Sequence, residues 1–249
     1  MLVHHQLDLG LAARRVLVVG VGGLGSSAAL ALARAGVGTL GLMDPDPIEV
    51  SNLHRQLLYD SADVGRSKVA VAAERLRRLT PGLRVESWRE RFGPDHATIL
   101  RDFDCVVDGT DTVAAKFVLN DAAVVARVPL AHAGVLGFVA QLMTVVPGES
   151  ACYRCVFEEP PPPDEVPSCQ EAGVLGPVVA LAGALQAAEV IRLLGGGAPA
   201  WANRLLRIDA WTGSWRTVPL TPNPRCAACA ALSPLAVAPA VNAGRSEGP

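Results

Sequence analysis

The sequence predicts an α/β fold: a Rossmann-like open sheet, parallel in its N-terminal half, with mixed or antiparallel strands in its C-terminal half. Three observations carry this expectation. Short β-branched runs alternate with helical patterns through the first two thirds of the chain, the rhythm of repeated βαβ units. The run RVLVVG passes directly into Gly20-Val21-Gly22-Gly23-Leu24-Gly25, a glycine turn between a strand and a helix. With 249 residues, half of them hydrophobic, the chain is long and apolar enough to bury one large core.

The elements follow in order. Strands are expected at 16–19, 39–43, 83–88 and 105–107, and helices at 24–35, 67–79 and 113–127. A strand around Leu130 is followed by a longer one at 138–146, and 205–209 with 214–219 read as a hairpin across Trp211 to Gly213. The most hydrophobic stretch, 174–194, contains Gln186, Glu189 and Arg192. Its uncharged part is shorter than the roughly 20 residues of a membrane span, so it reads as a buried helix. Residues 158–168, EEPPPPDEVPS, are expected to form a mobile surface crossover, since proline cannot donate to a sheet ladder. One domain is expected over 1–230, with a nucleotide-binding half at 14–135 and a second half at 136–230. A disordered tail of Ala, Pro and Ser is expected over 231–249.

The formal net charge of −2, without long basic runs, argues against a nucleic-acid surface. The N-terminal residues lack the layout of a secretory signal, which makes a cytoplasmic location the default and a membrane partner unexpected. In a reducing compartment the six cysteines should be thiols or metal ligands. Cys152-Tyr-Arg-Cys155 and Cys226-Ala-Ala-Cys229 have the spacing of a structural tetrathiolate zinc site. A redox role is disfavoured because neither pair reads as opening a helix. Cys105, inside a strand, reads as core.

Glycines at Gly20, Gly22, Gly23 and Gly25 let a phosphate approach the backbone, and the following helix offers free N–H groups. Asp44, ending the second strand, is placed to bond ribose hydroxyls. Together they indicate an adenine nucleotide, and on the glycine loop alone an NAD(P)-dependent oxidoreductase is an equal reading. The polar stretch from Asp44 to Lys68 separates the two, because a hydride-transferring enzyme would normally pass straight into its next helix. If locally helical, that stretch puts Asn52, Arg55 and Gln56 on adjacent turns, and Lys68 falls in the first turn of the next helix. Arg55 and Lys68 then supply two cations for a triphosphate. Asp111 follows the apolar strand CVVDG at its C-terminal end, where open α/β sheets bind ligands. It could equally cap the helix after it, and Asp108 is a second candidate in the same turn.

The loop GVGGLG, Asp44, the run SNLHRQ, the GxxK of Gly65 to Lys68 and GTDT at Gly109 to Thr112 resemble the ThiF/MoeB/HesA family of sulfur-carrier adenylyltransferases, relatives of ubiquitin-activating enzymes. The resemblance covers nearly the whole chain from Arg15 to Cys229. It implies ATP contacts at Asp44, Asn52, Arg55, Gln56 and Lys68, and magnesium with the developing phosphate charge at Asp111. It implies a zinc that pins the C-terminal segment through Cys152, Cys155, Cys226 and Cys229. It also implies ATP-dependent adenylation of a small ubiquitin-like sulfur carrier, a persulfide protein as sulfur donor, and a homodimer, for which the long apolar helix is a further reason. GVLGPVV and SWRTV look closest to the thiamine-pathway branch. Cys169, in SCQEAG, precedes that helix, where a thiolate would have a lowered pKa; some family members use a cysteine in this context chemically.

Two departures stand out. Thr112 replaces the usual asparagine after the TD pair, and no R-[YF]-x-R-Q motif occurs in the short arginine-free segment before Arg14, which itself abuts the first strand. A non-catalytic family member acting as a scaffold is therefore the second alternative. None of the five histidines is expected to act in catalysis.

Overall fold

A computed structural model describes residues 9–162 and 173–232. Eight strands form one sheet in the order β3-β2-β1-β4-β5-β6-β7-β8. The parallel half comprises β1 (Arg15–Val19), β2 (Thr39–Met43), β3 (Arg84–Trp88), β4 (Cys105–Asp108) and β5 (Leu130–Leu136). The antiparallel half adds β6 (Val139–Val145), β7 (Arg204–Asp209) and β8 (Ser214–Pro219). The expected fold class holds, and so does the hairpin, closed where the Asp209 carboxylate accepts the Trp211 and Thr212 N–H groups.

Helices cover both faces, which is why the central strands are apolar throughout instead of alternating. Val16 and Val18 of β1 point into a core with α1 (Gly23–Arg34) and α2 (Lys68–Leu79). Leu17 and Val19 point into the opposite core with α3 (Val113–Ala126). A short helix, α4 (Tyr153–Phe157), lies over α3, held by its Asn120 and Asp121. Asn120 Oδ1 accepts the Tyr153 N–H at 2.8 Å, and Asp121 takes a bidentate pair from Arg154.

The long apolar stretch forms α5 (Gly176–Leu194), which by length and composition could cross a membrane; half of it is buried inside this chain, against α1 and the central strands. Its polar residues are its attachment points. Gln186 Nε2 donates to the carbonyls of Asp108 and Ala131, and buried Glu189 accepts the Thr144 hydroxyl at 2.8 Å and the Trp201 N–H at 3.0 Å.

Differences from the sequence reading are local. Thr112, not Asp111, caps α3, its hydroxyl accepting the Ala115 N–H. Arg127 leaves that helix in the left-handed conformation. Cys152 does open a helix, as the N-cap of α4. Of the expected tail, residues 231–232 belong to a 3₁₀ turn, Ala230–Leu232. The rest of the tail, and residues 163–168 of the proline-rich crossover, lie outside the described residues.

The α1–α5 crossing depends on Gly183, where an added Cβ would lie 2.4 Å from the Leu24 carbonyl oxygen. Backbone cannot yield as a side chain can. Gly183→Val is expected to cost roughly 1–3 kcal/mol by overpacking, read as a lower denaturant midpoint at unchanged m-value. An unchanged midpoint would show that the helices separate freely.

Candidate active site

In an open α/β sheet, ligands bind where the strand order reverses, beyond the carboxyl ends of the strands. Here that point lies between β1 and β4, and the turns that follow these strands lie back to back. Gly20 sits at φ +84°, and a Cβ on Gly109 would lie 2.2 Å from the Gly20 carbonyl oxygen. Neither turn tolerates a side chain there.

The four glycines of the loop serve different needs. Gly20 makes the turn, while Gly25 packs against the Gly20 carbonyl and Gly23 against Val179 and the Arg55 backbone. Gly22 has room for more, since an added Cβ would come only to 3.6 Å from Gln56 Nε2. Gln56 is buried, and its Oε1 lacks a hydrogen-bond partner. A glycine turn at a helix N-terminus, with the buried Gln56 amide beside Gly22, fits a nucleotide.

Asp44, at the end of β2, is buried, and burial pushes its carboxyl above the ordinary range against the pull of Lys68. Its two oxygens accept the N–H groups of Val21 at 2.7 Å and Asp46 at 2.9 Å, so it fixes the glycine loop from below. Lys68 is the first residue of α2 and is nearly buried; its ammonium lies 3.0 Å from Asp46 and 3.8 Å from Asp44. Tyr59, absent from the sequence reading, joins the two segments, its hydroxyl donating to the carbonyls of Val21 and Lys68. Val50–Asn52 form a 3₁₀ turn, and backbone bonds to the Asn52 carbonyl carry the winding on to Gln56. The N–H groups of Arg55 and Gln56 both reach the Asn52 carbonyl, and the Arg55 guanidinium donates to Asn52 Oδ1 at 2.6 Å.

The Gly109–Thr112 turn brings Asp111 to the same sheet edge, exposed, one residue before the cap of α3. Beneath it lies a buried cluster built on Asp108, the second candidate of that turn, with Lys116 and His132, which no sequence motif singles out. Asp108 is fully buried and takes Lys116 at 3.0 Å and His132 Nδ1 at 2.7 Å. Burial works against its charge, yet Lys116 and the His132 hydrogen bond hold the carboxyl below the usual range. Burial drives His132 the other way, toward neutral imidazole, so Nδ1 carries the proton that Asp108 accepts. Lys116 reaches Asp108 from the first turn of α3, and the pairing of His132 depends on the β4–β5 register. Arg14 and Arg15 lie at the opposite end of β1, paired with Asp104 and Glu86. Cys169 lies outside the described residues, and Cys105 is core, its thiol pushed up by burial to about 12.

The two CxxC pairs converge on the α3 face. Their sulfurs all lie within 4.8 Å of one another, with Cys152–Cys226 at 3.6 Å and Cys155–Cys229 at 3.4 Å. A tetrahedral zinc with 2.3 Å bonds spaces its sulfurs by about 3.8 Å, so this donor set fits a closed metal site. The hydrogen bond with Cys152, aided by the Asn223 N–H, pushes Cys155 down, while the same crowding and burial push Cys152 and Cys229 up.

A family model described as the ThiF family matches residues 2–228. A sulfur carrier protein adenylyltransferase from Thermus thermophilus is 44% identical over 86% of this chain and 81% of its own length. An adenylyltransferase and sulfurtransferase, MOCS3, from Bos taurus is also 44% identical, over 90% of this chain; the chain spans about half of that protein. Among solved structures, that of E. coli MccB with ATP superposes with a TM-score of 0.79 at 25% identity, covering 88% of this chain and 68% of the other. With the family model spanning nearly every described residue and the Thermus thermophilus relative matched across most of both chains, the chain belongs to the ThiF family.

Proposed function

We propose that this chain uses MgATP to adenylate the C-terminal glycine carboxylate of a small ubiquitin-like sulfur carrier, preparing it for thiocarboxylate formation. The observation that carries the reading is the glycine turn at the β1/β4 switch point, with buried Gln56 beside Gly22 and with Lys68, Arg55 and Asp111 on the segments around it. The likeness to the Thermus thermophilus adenylyltransferase supplies the substrate class.

A carboxylate is already a nucleophile at neutral pH, so no general base is needed. One carrier oxygen bonds to the α-phosphorus of ATP as the bond to the bridging oxygen of the β-phosphate breaks, giving an acyl-adenylate and pyrophosphate. Gly22 and the amino end of α1 receive the phosphates, Gln56 accepts from the nucleotide, and Asp44 takes a ribose hydroxyl while it braces the loop. Asn52 aims the Arg55 guanidinium. Lys68 and Arg55 stabilise the charge that develops at phosphorus, and magnesium held by Asp111 would neutralise the leaving pyrophosphate. Residues 14–135 form the nucleotide half, and 136–230 the carrier and zinc half. Exposed Val50, Leu57 and Val64 beside the site support a homodimer. The setting is the cytoplasm, where the thiols stay reduced, with a persulfide protein as sulfur donor.

Lys68→Ala and Arg55→Ala should each lower carrier-dependent ATP/pyrophosphate exchange by about 10²–10³, the scale of losing one charge-stabilising group. Near-normal exchange in both would overturn the assignment, and tight NADH binding without ATP binding would favour an oxidoreductase. Intact-mass measurement of thiamine-pathway and other candidate carriers after incubation with MgATP should show an adenylate on one of them. The purified chain should carry about one zinc, and Cys226→Ser should lower both the zinc content and the unfolding temperature. Metal-free wild-type chain with an unchanged melting curve would remove zinc from the account.

A further inference from the structure

The Asp108 cluster has a role beyond filling the core. Its carboxylate makes four hydrogen bonds, divided evenly between its two oxygens. Oδ1 accepts the Thr110 N–H at 2.9 Å and the Thr110 hydroxyl at 2.6 Å. Oδ2 accepts Lys116 at 3.0 Å and His132 at 2.7 Å. One oxygen therefore grips the residue next to Asp111, and the other is gripped by α3 and β5.

The grip is itself anchored. The Lys116 ammonium also donates to the Ala133 carbonyl at 2.7 Å, and the rings of Tyr153 and His132 lie 4.6 Å apart, with Phe117 edge-on to Tyr153 at 4.9 Å. From the other face of the sheet, Gln186 holds the Asp108 carbonyl. Stability alone does not account for such a cluster, because replacing a buried ion pair with packed apolar side chains is often neutral or favourable. A buried carboxylate supplies what an apolar side chain cannot: a directional acceptor for an N–H and a hydroxyl of one turn, in a low dielectric that stiffens the bonds.

Resting on the nucleotide site described above, we propose that Lys116 and His132 are positioning residues for Asp111. By fixing Asp108 they hold the Gly109–Asp111 turn against the glycine loop, and so set how Asp111 meets the magnesium of a bound nucleotide. They act through Asp108 and Thr110.

The test is binding of a fluorescent ATP analogue to the full chain, titrated over magnesium concentration and repeated in EDTA. His132→Leu removes the donor, His132→Asn keeps one near the position of Nδ1, and Thr110→Val removes the hydroxyl from the turn itself. His132→Leu and Thr110→Val should each raise the magnesium needed for half-maximal binding about tenfold, and leave metal-free affinity within about twofold. His132→Asn should return the magnesium requirement to within about threefold of wild type. A magnesium requirement unchanged in folded His132→Leu overturns the proposal, as does equal loss of metal-free binding, which would mark a merely structural cluster. If His132→Leu does not fold, Thr110→Val decides alone, and an unchanged magnesium requirement there overturns it. Wild-type chain that binds no ATP at any magnesium concentration overturns the nucleotide site, and this inference with it.

Discussion

The turns that follow β1 and β4 approach so closely that glycine is required on both sides: at Gly20 a Cβ would meet the Gly109 carbonyl, and at Gly109 a Cβ would meet Gly20. Every other feature of the site is arranged around that contact. It lies at the reversal of strand order, where the parallel strands end and α1 and α3 begin. Because two backbones touch there, the glycine loop and the Asp111 turn cannot be placed independently. Whatever fixes one constrains the other.

Each turn is fixed from beneath by a buried carboxylate. Asp44 accepts the Val21 N–H under the glycine loop, and Asp108 accepts both donors of Thr110 under the second turn. Their surroundings differ, and their chemistry with them. Asp44 has Lys68 only at 3.8 Å, and burial raises its carboxyl; Asp108 has Lys116 and His132 in direct contact and stays ionised. The other two cations are already oriented, buried Lys68 by Asp46 and half-buried Arg55 by Asn52.

The cysteine cluster belongs to the same construction. Cys152 opens α4, which Asn120 and Asp121 of α3 hold, and Tyr153 of α4 packs against His132. The convergence of the four sulfurs brings the segment after β8 against the helix that caps this aromatic wall. On the opposite face, α5 uses Gln186 and Glu189 as internal attachments, so the residues that interrupt its apolar run in sequence are those that dock it in the fold.

Much was legible in the sequence because it is local. The strand periods, the glycine turn and the CxxC spacings are set within a few residues of one another, and the helical geometry of 50–56 follows from the same short-range bonding. Thr112 rather than Asp111 as the cap of α3 was the kind of one-residue choice that propensity leaves open, since either side chain can accept an N–H there. The tertiary structure decided what depends on register and crossover. His132 meets Asp108 only because β4 and β5 pair Asp108 with His132, and Tyr59 reaches Val21 only because the chain folds back over the glycine loop. The sequence by itself determined which side chains carry charge and where the chain turns. Only the packed sheet decided which of those charges face one another, because a buried ion is fixed by partners that lie far apart along the chain.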